Sequence, residues 1–178
     1  MTRLWSYISD VEGNLDYWNR YLSISKIVHR NENNGKLELK ENCGFIFGGD
    51  SVDKGSGDIR IVHDLLQLKE DYPDRVYLLI GNRDANKLRF ASELAGDDTL
   101  GVAYWVDKEK RVSLESFLEK NNLEDNKVSR IKWMLAETMG SATTFQLRRE
   151  ELETLGKETN DEAVLNSFIE GISVGGED

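Results

Sequence analysis

Apolar and polar positions in the first half of the chain fall into blocks that read as strand, turn and helix, three times over. Leu4–Ser9 (LWSYIS) alternates large apolar with small or polar residues and stops at Asp10, as a strand entering a turn does. Residues 15–29 then place Leu15, Trp18, Leu22, Ile24, Ile27 and Val28 on a helical stripe ending at His29, which Asn14 or Asp16 would cap. Asn31–Gly35 is a polar surface turn. Cys43–Phe47 is a short apolar run reaching Gly48 and Gly49. Ile59–Leu68 has the apolar density of a helix packed on a sheet, and Pro73, the single proline, lies in the break that follows it. Val76–Ile80 is almost wholly apolar, the mark of a strand buried on both faces of a parallel sheet. Three such units in succession predict an α/β fold with a parallel sheet.

The second half reads differently. Helical spacing recurs over 84–94, 114–118, 128–139, 150–155 and 161–169, with Gly140 a stop for the longest stretch. Residues 171–178 are a Gly-rich, acidic tail. No clean strand is expected after residue 85. The organisation expected is a single domain over 1–178, with a motif-bearing α/β part over 4–95 and a mainly helical part over 96–178. Trp5, Trp18, Trp105 and Trp133 are expected as buried or half-buried packing residues. Arg148, Arg149, Glu150 and Glu151 read as a charged helix face.

Composition narrows the function classes. A length of 178 residues suits one domain with a real core. The balance of 39% hydrophobic and 31% charged residues is that of a globular chain. No stretch reaches the roughly 20 apolar residues that span a bilayer, and Met1–Arg3 runs into a strand too soon for a signal peptide. Cys43 is the only cysteine, which suits a reducing compartment. A cytoplasmic location and no membrane association are therefore expected. A net charge of −10 disfavours general nucleic-acid binding. It leaves room for a phosphorylated substrate if a divalent ion reverses the local charge.

Three strings carry candidate chemistry: Ser9-Asp10-Val11-Glu12-Gly13-Asn14, Gly48-Gly49-Asp50-Ser51-Val52-Asp53-Lys54-Gly55 and Gly81-Asn82-Arg83-Asp84. Each follows an apolar run. In an open parallel sheet, ligands sit at the carboxyl ends of the strands, so the fold would bring the strings to one edge. Asp10, Glu12, Asp50 and Asn82 form an oxygen-rich set suited to Mn²⁺ or Mg²⁺, with zinc or iron more favoured if imidazoles join.

These strings resemble the blocks of the calcineurin-like metallophosphoesterases, D-x-H, G-D-x-x-D-[RK]-G and G-N-H-[DE], in order. The middle block, Gly49 to Gly55, is a full match. The resemblance covers roughly residues 4–90. It implies a parallel-sheet half of an α/β sandwich followed here by a mostly helical segment, and a hydrolase in which metal activates water against a phosphate ester or nucleotide polyphosphate. Carried over by position, Asp10 would bind the first metal, Asp50 would bridge and Asn82 would bind the second. Asn14, Asp53, Lys54 and Arg83 would face or orient the phosphate. Substrates expected are a phosphorylated small molecule or a phosphoprotein.

Three departures accompany the resemblance. Glu12 stands where the family has a histidine ligand. Arg83, followed by Asp84, stands where it has a catalytic histidine; arginine cannot donate a proton near neutral pH but its planar fork suits phosphate. Catalytic roles at this turn therefore fall to Arg83 and Asp84. Finally, the family's later histidines have no counterpart: the only two are His29 and His63, both read as structural or surface residues. These departures support a second reading, a catalytically impaired metal- or phosphate-binding domain that acts as a partner or regulatory module. A chain that stops at the first sheet would also leave an unpaired sheet through which it associates.

Overall fold

The computed structural model describes residues 3–94 and 104–170. Two compact units divide the chain, Met1–Ala85 and Asn86–Asp178. The first is α/β. Its three-stranded parallel sheet has the order β1 (Leu4–Ile8), β4 (Cys43–Phe47), β5 (Val76–Leu78). Ile8 lies opposite Phe47, and Phe47 opposite Leu78. That register ends all three strands level, so the segments that follow them leave from one edge.

One face of this sheet is the core. Ile8, Phe45, Phe47 and Val76 point toward α1 (Leu15–Ile24) and α2 (Asp58–Asp71), where Trp18, Leu22, Ile61, Leu65 and Leu68 meet them. Trp18 is fully buried, a placement that stabilises by about 2–3 kcal/mol. Its indole N–H donates to Asp64 (2.8 Å), which also accepts Arg30 (2.9 Å), tying α1 and α2 to the neighbouring hairpin. Asn14 caps α1 by accepting the Tyr17 N–H (3.0 Å), as the sequence leads one to expect.

Three expectations are corrected here. The first helix stops at Ile24 rather than at His29: Ser25 turns extended, and its hydroxyl accepts the N–H groups of Ile27 and Val28. His29 instead lies on β2 (Val28–Arg30), paired antiparallel with β3 (Leu37–Leu39) across the 31–35 turn. Val28, Leu37 and Leu39 are buried, so the apolar residues that prolong the helical stripe serve a hairpin.

The third correction concerns Val76–Ile80. Strand β5 is an edge strand of three residues, and only Val76 is fully buried, while Tyr77 is 49% and Ile80 75% exposed. Its outer neighbours continue the pattern. Trp5, Tyr7, Tyr77 and Leu79 share the sheet face opposite the helices, with Trp5 laid over Gly44 and 5.6 Å from Tyr77 between ring centroids. An apolar strand therefore reads as doubly buried when one of its faces is an exposed aromatic strip. Two of the four tryptophans, Trp18 and Trp133, are buried; Trp5 and Trp105 are about half exposed.

The second unit is helical, with no strand among its described residues: α4 (Arg89–Glu93), α5 (Leu114–Asn121), α6 (Lys127–Trp133), α7 (Thr144–Thr154) and α8 (Asp161–Glu170). Helix α3 (Asn82–Lys87) leads from one unit into the other. Met134–Thr138 continues α6 as a π turn that closes at Gly140, whose φ of +64° suits the stop expected there. Phe90, Phe145 and Phe168 form its aromatic core. Arg148 and Glu151 are not a solvated face. Both are buried, with the Arg148 guanidinium 4.4 Å from the Phe168 ring centroid, because α8 covers that side of α7. The acidic tail at 171–178 lies outside the described residues. No helix among the described residues is long and apolar enough to cross a membrane.

Candidate functional site at the carboxyl edge of the sheet

The three strings occupy the loops that leave β1, β4 and β5. Backbone bonds stitch the first two together. The N–H groups of Asp10, Glu12 and Gly13 donate to the carbonyl oxygens of Gly49, Asp50 and Ser51 (3.0, 3.0 and 2.7 Å). In return, the Lys54 N–H donates to the Glu12 carbonyl (2.7 Å). Such a seam needs backbone that L-residues seldom adopt. Among the described residues six non-glycine positions have positive φ, and four of them are Asp10, Glu12, Asp50 and Asp53. Each costs on the order of 1–2 kcal/mol, so the strain is concentrated at this edge and held there by the seam.

Gly55 explains why the two loops can approach so closely. A methyl group at this position would overlap the Gly13 carbonyl oxygen and lie 2.7 Å from the Asn14 nitrogen, both backbone atoms that cannot rotate away. Gly55→Ala is therefore expected to cost about 1–3 kcal/mol by overpacking. Gly35→Ala, where nothing lies within 4 Å of the added carbon but φ is +73°, is expected to cost about 1 kcal/mol through backbone strain alone. Urea unfolding of both variants checks the difference; equal costs would mean that the seam is not tightly packed at Gly55.

The third loop is joined by Asp84. Its carboxylate accepts the N–H groups of Asp50 (2.8 Å), Ser51 (2.9 Å) and Gly81 (2.8 Å), together with the Ser51 hydroxyl. Reciprocally, Asp50 Oδ1 accepts the Arg83 N–H (2.9 Å). Asp84 is thus committed to holding the β4 and β5 loops in place. That work was not visible in the string itself, although a carboxylate two residues into a helix after a Gly-Asn pair is the signal that could have suggested it.

Side-chain charges complete the arrangement. Glu12 Oε1 lies 2.6 Å from Arg83 Nε and 2.8 Å from Lys54 Nζ. Arg83 Nη1 reaches Asp53 Oδ2 at 3.5 Å. Asp53 is buried, and its N–H donates to Asp58 (3.1 Å). Asp58, which opens α2, is buried too and was missed by sequence reasoning. Glu12 and Arg83 are partly buried, so this ion pair is screened less than a surface one.

Asp10, Glu12, Asp50, Asp53, Lys54, Arg83 and Asp84 are drawn into one contiguous network by the bonds above. Asn82 opens α3 beside Arg83 and is exposed. Asn14 spends its side-chain oxygen on the α1 cap. The exposed His29 pairs with Glu38 (3.4 Å) in the hairpin, and His63 is exposed on α2, so neither belongs to the three loops.

Whether these loops suit a divalent ion depends on their donors. Among the described residues, no group of three or more His, Cys, Asp and Glu side chains is placed to hold a metal. The Asp10 and Asp50 carboxylates and the Asn82 amide, on adjacent loop segments and outside the ion pairs above, are the oxygen groups that would be called on to hold one. Mg²⁺-like ions are commonly bound by one or two carboxylates, with waters and substrate phosphate filling the remaining positions. Glu12, expected among the ligands, instead has its Oε1 facing two protein cations.

The chain was compared with protein-family models, with curated proteins and with solved structures, and none matches it.

Proposed function

We propose that this chain is a divergent phosphoesterase of the calcineurin-like type, hydrolysing a phosphate ester or nucleotide polyphosphate at the carboxyl edge of its parallel sheet. One observation carries the reading. Loops after three adjacent, level strands are locked together so that two aspartates, an exposed asparagine, an arginine and a lysine share one edge. An α/β sheet offers ligands that edge.

Asp10, Asp50 and Asn82 would hold a divalent ion, with Mn²⁺ the first candidate and Mg²⁺, iron or zinc the others; when bound, it polarises the phosphoryl group and acidifies a bound water. The chain's own side chains do the rest. Arg83, gripped on its Nε and Nη1 sides by Glu12 and Asp53, presents a charge whose orientation is set before substrate arrives, and preorganised cations steady developing phosphoryl charge best. Lys54, about half exposed beside Glu12, adds a second cation at the mouth. Asp84 keeps the two loops aligned, and its lone pairs are spent on N–H donors. Proton delivery to the leaving group therefore falls to solvent, which favours substrates with good leaving groups such as aryl phosphates and phosphoanhydrides.

The test is hydrolysis of p-nitrophenyl phosphate and of a nucleoside triphosphate by the purified chain with Mn²⁺. Turnover abolished by EDTA and restored by Mn²⁺ is expected. Absence of turnover with any of the four metals would sink the hydrolase. Retained phosphate binding in that case would leave the domain as a phosphate-binding partner module, which the commitment of Glu12 and Arg83 to one another favours as the second reading.

A further inference from the structure

We infer that the open edge of β1 joins a second copy of this chain, the two β1 strands pairing antiparallel about Ser6 so that two sheets become one. β1 and β5 are the two edges of the three-stranded sheet, and they differ in what their outward backbone groups do. On β5, Val76 turns its N–H and carbonyl away from β4. Both are already bonded, to the Tyr72 carbonyl (3.0 Å) and the Lys69 ammonium (3.0 Å). On β1, the Ile8 carbonyl accepts the Gly48 N–H of the β4 side (2.8 Å). Direction alternates along a strand, so Leu4, Ser6 and Ile8 face β4, while Trp5 and Tyr7 turn their N–H and carbonyl groups outward. No strand among the described residues takes them. Nor does β1 carry a device that guards an edge. Leu4–Ile8 has no charge and no proline, and its register with β4 runs without a bulge.

Those groups also fix the alignment. Centring the pair on Ser6 sets Trp5 of each copy opposite Tyr7 of the other. It is the one antiparallel alignment in which both outward residues of Leu4–Ile8, in both copies, bond one another. Trp5 and Tyr7 are exposed on one sheet face, and cross-strand aromatic pairs stabilise a sheet. On the other face the exposed Leu4 comes beside Ile8. Arg3 meets Ser9, next to Asp10, so no like charges face each other although the chain carries −10 overall. The Tyr21 hydroxyl lies 2.6 Å from that of Ser6, and the exposed Tyr17 and Ile24 share its row on α1. Apolar surface thus continues from the edge onto the helix beneath it.

Sedimentation velocity on the whole chain tests this. A contact of this size belongs with weak interfaces, so a monomer–dimer transition with Kd on the order of 10–100 µM is expected. Tyr7→Pro is expected to weaken it at least about ten-fold with the circular dichroism unchanged, because that N–H serves no bond to β4 and proline is tolerated on an open edge. Cysteine variants read the alignment. Ser6 meets its own counterpart at a non-hydrogen-bonded position, about 4.5 Å between Cα atoms and within disulfide reach. Ser6→Cys should therefore give a disulfide-linked dimer under mild oxidation. Leu4→Cys, although more exposed, should not, its Cα atoms lying about 14 Å apart in the pair. Wild type, with Cys43 buried, should not either. A chain that stays monomeric to about 1 mM overturns the inference and leaves the edge to a strand of another protein. So does a dimer that Tyr7→Pro leaves intact, or one that Leu4→Cys links as readily as Ser6→Cys. If Tyr7→Pro does not fold, wild-type sedimentation and the two cysteine variants decide.

Discussion

Asp84→Ala is expected to destabilise the first unit by about 2–4 kcal/mol, the largest loss foreseen for any single side chain at this edge. The carboxylate accepts three backbone N–H groups and a hydroxyl from two loops. Removing it leaves those donors facing each other with no acceptor. Each unsatisfied donor costs about 1–3 kcal/mol when fully buried. Asp84 is only partly buried, so water recovers some of this, which sets the lower total. At an m-value of roughly 1–3 kcal/mol/M the urea midpoint falls by about 1–2 M. Asp84→Asn should lose somewhat less stability, since one oxygen remains while the new NH₂ turns toward existing donors. The pair of variants also distinguishes a clasp from a proton-transfer group. A clasp loses stability in both, and activity fails as the loops come apart. Were Asp84 a general acid or base, Asp84→Asn would keep wild-type stability and lose only turnover.

That contrast marks how far the sequence could be read. The parallel strand–helix units, the common edge and the helical second half were legible because apolar periodicity and glycine-flanked turns carry them directly. The hairpin β2–β3 was not. Its strands have three residues each, too short for alternation to show, and Ile27 and Val28 happen to continue the stripe of α1. The exposure of β5 was hidden for a related reason: a run such as VYLLI looks the same whether one face or both are covered. At the site, residue types and spacing named the participants without naming their partners. Glu12 reads as a ligand by position, and only the geometry pairs it with Arg83 and Lys54. Gly81 in the third string could be taken for a plain turn residue, yet an added carbon there would overlap Asp50 Oδ1. Contacts such as Ser51–Asp84 and Glu12–Arg83, 33 and 71 positions apart, leave little trace in a local pattern.

Asp50→Asn is expected to lower Mn²⁺-dependent turnover by at least about 100-fold while leaving stability within about 1 kcal/mol of wild type. The substitution isolates chemistry from architecture better than any other at this edge. What the fold asks of Asp50 is mostly backbone. Its carbonyl accepts from Glu12 and its N–H donates to Asp84, and both survive the change. The one structural bond of its side chain is the Arg83 N–H on Oδ1, which the remaining amide oxygen of asparagine can accept. Asparagine also tolerates the left-handed backbone that Asp50 adopts at φ +58°. What is lost is one negative charge between the Asp10 and Asn82 loops, where the proposed ion needs it most. Stability is read by urea unfolding, turnover with p-nitrophenyl phosphate across a Mn²⁺ titration. If the variant keeps wild-type kcat at saturating Mn²⁺, Asp50 is no metal ligand and the carboxyl edge of the sheet is not where hydrolysis occurs. If it loses stability and turnover together, the Arg83 bond matters more to the loop than the charge does, and the catalytic assignment must move to Asp10.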